Sequence, residues 1–129
     1  MEQAMIQHGA FSWNELMTTD VGAAKKFYGE LFGWSMQDMP TCDMGYTMAK
    51  VGDKEAAGIM GIPPDFKHLP PAWSAYVTVD DVDKQAAKAE TLGGKIILPA
   101  QDIPEVGRFA VISDPQGAIL SIITYFTKD

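Results

Sequence analysis

The chain has 129 residues, 47% of them hydrophobic and 21% charged, with a formal net charge of −7. That length suits one domain with its own core, and the acidic balance argues against nucleic acid or an anionic membrane as partner, since both need clustered cations. No apolar run approaches the roughly 20 residues that span a bilayer. The start, MEQAMIQHGAF, lacks the pattern of a signal peptide, and the one cysteine, Cys42, cannot form an internal disulfide, so a cytoplasmic location is expected.

Taken in chain order, a β-rich run, FSWNELMT, begins at Phe11 and leads to Asp20, whose carboxylate suits a helix N-cap. Val21, Ala24, Tyr28, Leu31 and Phe32 then recur near helical spacing, and Gly33 supplies a left-handed stop. Strands are expected at about 34–38, 45–51 and 56–62, the last two joined by Gly52-Asp53. The proline pairs Pro63-Pro64 and Pro70-Pro71 bound a connection that prevents regular structure. The pattern then restarts. A run around AWSAYVTV leads to Asp81 as N-cap, a helix through Val82, Ala86, Ala89 and Leu92, and a stop at Gly93-Gly94. Strands follow at about 95–100, 107–113 and 117–125, with Asp114-Pro-Gln-Gly117 as a type I turn that has proline at its second position.

The restart is a duplication. A constant offset of 61 residues pairs Asp20 with Asp81, Leu31 with Leu92, Gly33 with Gly94 and Asp53 with Asp114. Cap, helix, stop and turn stay in register without a gap. The expected fold is α+β: one domain, 1–129, of two tandem βαβββ modules at about 9–63 and 71–126. One helix covers only one face of a four-stranded sheet, so the two open faces are expected to form a shared cleft.

The segments TTDVGAAKKFYGELFGW, VDDVDKQAAKAETLGG and ISDPQGAILSI, set in this repeat, resemble the vicinal oxygen chelate superfamily over about residues 9–126. That group includes glyoxalase I, bleomycin resistance proteins and extradiol dioxygenases. The resemblance implies the glyoxalase/bleomycin resistance fold. It also implies metal ligands, typically His, Glu or Gln, on the first and last strand of each module. Those positions match Trp13, Met60, Ser74 and Ser121. An indole, a thioether and two neutral hydroxyls are a poor set for a hard divalent cation. No metal and no other cofactor is therefore expected, and His8 and His68, both off the strands, read as surface residues.

Glu15 shares strand parity with Trp13, so it faces the cleft if Trp13 does. There it could serve as a catalytic base or bind a cationic group; equally, it could pair with a lysine or lie at a subunit contact. Parity gives the remaining ligand-facing set: Phe11, Trp13, Glu15, Met17, Tyr46, Met48 and Met60 from the first module, and Ser74, Tyr76, Thr78, Phe109, Ser121 and Ile123 from the second. Rings and thioethers suit a small aromatic or cationic ligand. The opposite side of the first strand, Ser12, Asn14, Leu16 and Thr18, is polar for a face under a helix, so Asn14 is at an interface or the parity is reversed.

Trp34 and Trp73 read as packing residues, Cys42 has no neighbouring base, and Arg108 reads as a surface residue with some capacity for an anion. Three functions compete. The first is a metal-free small-molecule binding protein of the bleomycin-resistance kind; the second is a glyoxalase-like lyase, isomerase or dioxygenase; the third is an interaction module with a filled cleft. A homodimer is expected because edge strands need covering.

Overall fold

In the computed structural model, which describes residues 7–39, 45–64, 69–103 and 106–126, both aspartates cap helices. Asp20 Oδ1 accepts from the Ala23 amide at 3.0 Å and Asp81 Oδ1 from the Lys84 amide at 3.1 Å. Each satisfies an amide that has no partner inside the helix. The first module runs β1 (Phe11–Thr18), α1 (Val21–Phe32), β2 (Ser35–Met39), β3 (Tyr46–Val51) and β4 (Lys54–Gly61). The second repeats that order as β5 (Ala72–Thr78), α2 (Val82–Thr91), β6 (Lys95–Ile103), β7 (Gly107–Ser113) and β8 (Ile119–Tyr125). Cys42 and His68 lie outside the described residues.

The chain divides into two units, Trp13–Ser74 and Met1–Ser12 with Ala75–Asp129, so the division falls inside β1 and β5. In the first unit the strand order is β2-β3-β4-β1, with β1 parallel to β4 and the other pairs antiparallel. In the second it is β5-β8-β7-β6, with β5 parallel to β8. The parallel pairs are required by the βα crossover, which returns the chain running the same way.

Three strand boundaries differ from the sequence expectation by two residues or more. β4 begins at Lys54 because Val51 pairs directly with it across the two-residue Gly52-Asp53 turn, and Gly52 takes a φ of 60°. β6 extends past Pro99 to Ile103 because its register against β7 shifts on both sides of Leu98, which takes the proline out of the ladder. β8 starts two residues late because Gly117, at φ 98°, belongs to the turn and donates to the Asp114 carbonyl at 2.9 Å.

The two helices are held differently. α2 presses Val82 and Ala86 onto Val79, Ala110 and Ile122, with Val77, Ile96 and Ile112 around them. α1 has no fully buried residue. It is tied instead by Lys25, whose ammonium donates to Asp38 on β2 at 2.8 Å, and Thr47 donates to the same oxygen at 2.9 Å. These bonds hold the Asp38 carboxyl below its usual range, Lys25 contributing most. Under α1 the sheet offers Leu16, Ala49, Ala57 and Ile59, all buried. Among the described residues no helix is long and apolar enough to cross a membrane.

Candidate functional site

The strand registers decide which side chains share a face. In the first unit Glu15 lies opposite Gly58, Met17 opposite Met60, Met48 opposite Gly58, and Gln37 opposite Met48. Trp13, two residues before Glu15, joins this row by alternation. The other row, Leu16, Ala49, Ala57 and Ile59, is the one under α1. Thus Trp13, Glu15, Met17, Tyr46, Met48 and Met60 stand together on the face away from the helix. The polar look of the other side of β1 has a simple origin: Leu16 and Thr18 border α1, whereas Asn14 is exposed and Ser12 bonds to Tyr125 at 2.9 Å.

Two bonds organise this face. The Trp13 indole N–H donates to the Tyr46 hydroxyl at 2.8 Å. The hydroxyl end of the Tyr46 ring lies over Gly58, in the space where any Cβ at 58 would sit. Only glycine permits that approach. Glu15, next to Gly58 across the ladder, is 2% exposed and has an interaction partner of its own. Trp13, Met17, Tyr46 and Met48 are half-buried, so they form the more accessible part, while Glu15 and Met60 are buried. Gly58 is absent from the sequence-derived set. An isolated glycine inside an otherwise apolar strand was the available signal for it, because such a residue marks close approach of another group.

The second unit treats its corresponding face differently. Tyr76, Thr78, Phe109, Ser121 and Ile123 lie opposite the α2 side by alternation and register, and each is buried. Tyr76 and Ser121 are each only 1% exposed, and the Tyr76 and Phe109 rings lie 6.2 Å apart. These residues are packed and are not presented to solvent. Phe11 is exposed and Ser74 half-buried.

The donor set at the four positions implied for a metal is unfavourable on its chemistry. Trp13 has its only polar hydrogen engaged with Tyr46 and no lone pair to give. Met60 offers a thioether, and Ser74 and Ser121 already have hydrogen-bond or packing partners. Among the described residues no three His, Cys, Asp or Glu side chains gather as ligands. These residues do not fit a hard divalent cation.

Two further sequence candidates take structural roles. His8 Nδ1 accepts from the Asp80 amide at 2.9 Å. Arg108 grips Asp83 on α2 through two bonds, at 2.9 and 3.0 Å, and reaches Asp102 on β6 at 3.0 Å. Its guanidinium is thus held well above its usual range, first by Asp83, and Asp83 is held below 3.8, first by Arg108. Both donor edges face carboxylates, so Arg108 is a clamp between α2 and the sheet with little capacity left for an anion. Arg108→Gln is expected to return the Asp83 titration toward 3.8, read from side-chain carboxyl NMR shifts between pH 2 and 6. The sign follows from linkage: the depressed Asp83 favours the fold above its unfolded value, and that contribution disappears as pH falls through its folded one.

Two helix-backed βαβββ modules, each with one face free of helix, define the α+β class of this chain. The chain belongs to the Glyoxalase/Bleomycin resistance protein/Dioxygenase superfamily, whose family model matches residues 6–122. It is 41% identical over 124 residues to a Mycobacterium tuberculosis protein provisionally named glyoxylase CFP32, covering 94% of this chain and 48% of that one. It is 32% identical over 127 residues to the anthracycline biosynthesis protein DnrV of Streptomyces peucetius, covering 88% of this chain and 46% of that one. The chain thus spans about half the length of these curated relatives. Among solved structures, methylmalonyl-CoA epimerase of Streptomyces coelicolor superposes with a TM-score of 0.62 at 13% identity, over 94% of this chain and 100% of that one. That level of identity shows the shared fold.

Proposed function

We propose that this chain is a metal-free cytoplasmic binding protein that holds a flat, positively charged small molecule on the β1-β3-β4 face of its first module. The observation that carries the reading is the composition of that face. A buried Glu15 shares that face with the half-buried Trp13, Met17, Tyr46 and Met48. Rings and thioethers take up a planar ligand by stacking and shape adjustment. A carboxyl on such a face, when ionised, is poorly screened by water and attracts a cation by roughly 1–2 kcal/mol, about tenfold in affinity. The net charge of −7 adds long-range attraction that salt removes. The Streptomyces peucetius relative is named for anthracycline biosynthesis, and anthracyclines are fused-ring molecules.

Tryptophan quenching by daunorubicin, which bears an amino sugar, and by its neutral aglycone tests this. The cationic probe should bind more tightly, weaken as salt rises, and lose about tenfold in Glu15→Gln, with the aglycone unaffected. Equal binding of both probes, or quenching unchanged in Trp13→Phe, would sink the reading.

The glyoxylase name of the mycobacterial relative favours a second reading, in which Glu15 is the base of a metal-independent lyase or isomerase. Glu15→Gln would then abolish turnover while leaving substrate affinity nearly intact.

A further inference from the structure

Between α1 and the start of β5, within the first unit, lies a groove of about 390 Å³ on the helix side of the sheet. Asp20, Ala23, Ala24, Phe27, Tyr28 and Trp73 line it, with Leu16 and Thr18 of β1. Along α1 the carboxylate comes first, the two alanines one turn on and the rings two turns on. Asp20 and Phe27 are thus roughly 10 Å apart along the axis. The rings are held in place. Tyr28 meets Phe27 and Trp73 edge to face, with centroids 5.0 and 5.3 Å apart and interplanar angles of 88° and 82°. The Trp73 N–H donates to the Tyr28 hydroxyl at 3.1 Å, and Phe32 and Trp34 stack on Tyr28.

The charge of the lining has one sign. Among the described residues that line the groove, Asp20 alone is charged. Its Oδ1 accepts from the Ala23 amide, which leaves Oδ2 for a ligand. The duplication supplies an internal control. At the offset of 61 residues, Asp20 corresponds to Asp81, Ala23 and Phe27 to Lys84 and Lys88, and Tyr28 to Ala89. α2 therefore keeps the cap and forms its helix with lysines and an alanine where α1 has alanine and two rings. Neither the aromatic walls nor the absence of cations is a requirement of the βαβββ unit.

We infer that this groove binds a small quaternary ammonium alcohol, its methylated nitrogen against Phe27, Tyr28 and Trp73 and its hydroxyl end toward Asp20. Ring faces attract a cation through their quadrupole, and rings set at right angles present those faces in more than one direction. Such walls fit a compact, rounded head better than a flat ring system. A quaternary nitrogen has no N–H to satisfy, so it loses nothing among rings that offer no acceptor. A primary ammonium would leave donors unpaired there. The carboxylate excludes an anionic group at the other end and accepts a hydroxyl. The site lies on the opposite side of the sheet from the Glu15 face and does not rest on the function proposed for that face.

The test adds choline to the full chain and follows the Trp73 indole N–H by NMR, its signal identified with Trp73→Phe and each variant's fold confirmed by circular dichroism. Choline should bind with a dissociation constant of about 1 mM or below. 3,3-Dimethylbutanol, the same shape with carbon in place of nitrogen, should bind at least about tenfold more weakly. Phosphocholine, whose anionic end meets Asp20, should also bind more weakly than choline. Phe27→Lys, which copies the residue α2 carries and is made at a position 58% exposed, should abolish binding. Asp20→Asn, which still caps the helix, should weaken it about three- to tenfold. Glu15→Gln should leave it unchanged. No shift up to about 50 mM choline, equal binding of the neutral isostere, or loss of choline binding in Glu15→Gln would overturn the inference. So would capture by phosphatidylcholine vesicles without binding of free choline, which would assign the rings to a lipid surface.

Discussion

Replacing Ile122 by alanine is expected to lower the unfolding free energy by about 3–4 kcal/mol, read as a shift of the urea midpoint at constant slope. Ile122 is 3% exposed in the middle of β8, paired with Val77 on one side and Ala110 on the other. Its side chain meets Val79, Val82 and Ala86. The cost of such a truncation depends on how far the surroundings can collapse into the space left behind. Here two of the neighbours are alanines, with no side-chain reach, and the ladder on both sides fixes the backbone. Little collapse is available, so the value falls well above the lower end of the usual range of about 2–5 kcal/mol. For a domain of this size that is a large share of the whole stability. A loss below about 1 kcal/mol would mean that the α2 core is not close-packed.

Gly58→Ala should act on binding more than on stability. An added Cβ at 58 occupies the space held by the Tyr46 ring tip. The backbone there has no positive φ that would itself resist alanine. The ring is the far end of a side chain and can swing aside, so the fold should lose only about 1 kcal/mol. The swing breaks the 2.8 Å bond from Trp13 and moves the ring out of its place over Gly58. Tryptophan emission should shift, and daunorubicin affinity should fall by about tenfold or more. A double-mutant cycle separates this from a general loosening. In a Tyr46→Ala background the alanine at 58 should have almost no further effect on affinity, whereas additive losses would show that Gly58 acts through something else.

Much of the architecture was legible because duplication repeats its own punctuation. Asp20 and Asp81 cap helices in both copies, and Gly33 ends α1 in the left-handed conformation at φ 73°. Period-two alternation placed Trp13, Glu15, Met17, Tyr46, Met48 and Met60 on one face, as the ladders show. Alternation assigns a face but carries no information about what covers it. Tyr76, Phe109 and Ser121 share the face that alternation assigns them, and their burial was not legible from it. Arg108 was equally opaque, because its partners Asp83 and Asp102 come from α2 and β6, and only the tertiary fold brings them within 3.0 Å. The role of Gly58 depends on the direction taken by Tyr46, twelve residues earlier in the chain.

The unequal seating of the two helices has an evolutionary reading. A tandem copy frees one half from sole responsibility for cohesion. α2 keeps Val82 and Ala86 anchored, while α1 anchors nothing completely and is fastened by Lys25 and Asp38. Substitutions along α1 should therefore cost little folding stability, and that half of the chain is where new specificities can arise at small thermodynamic risk.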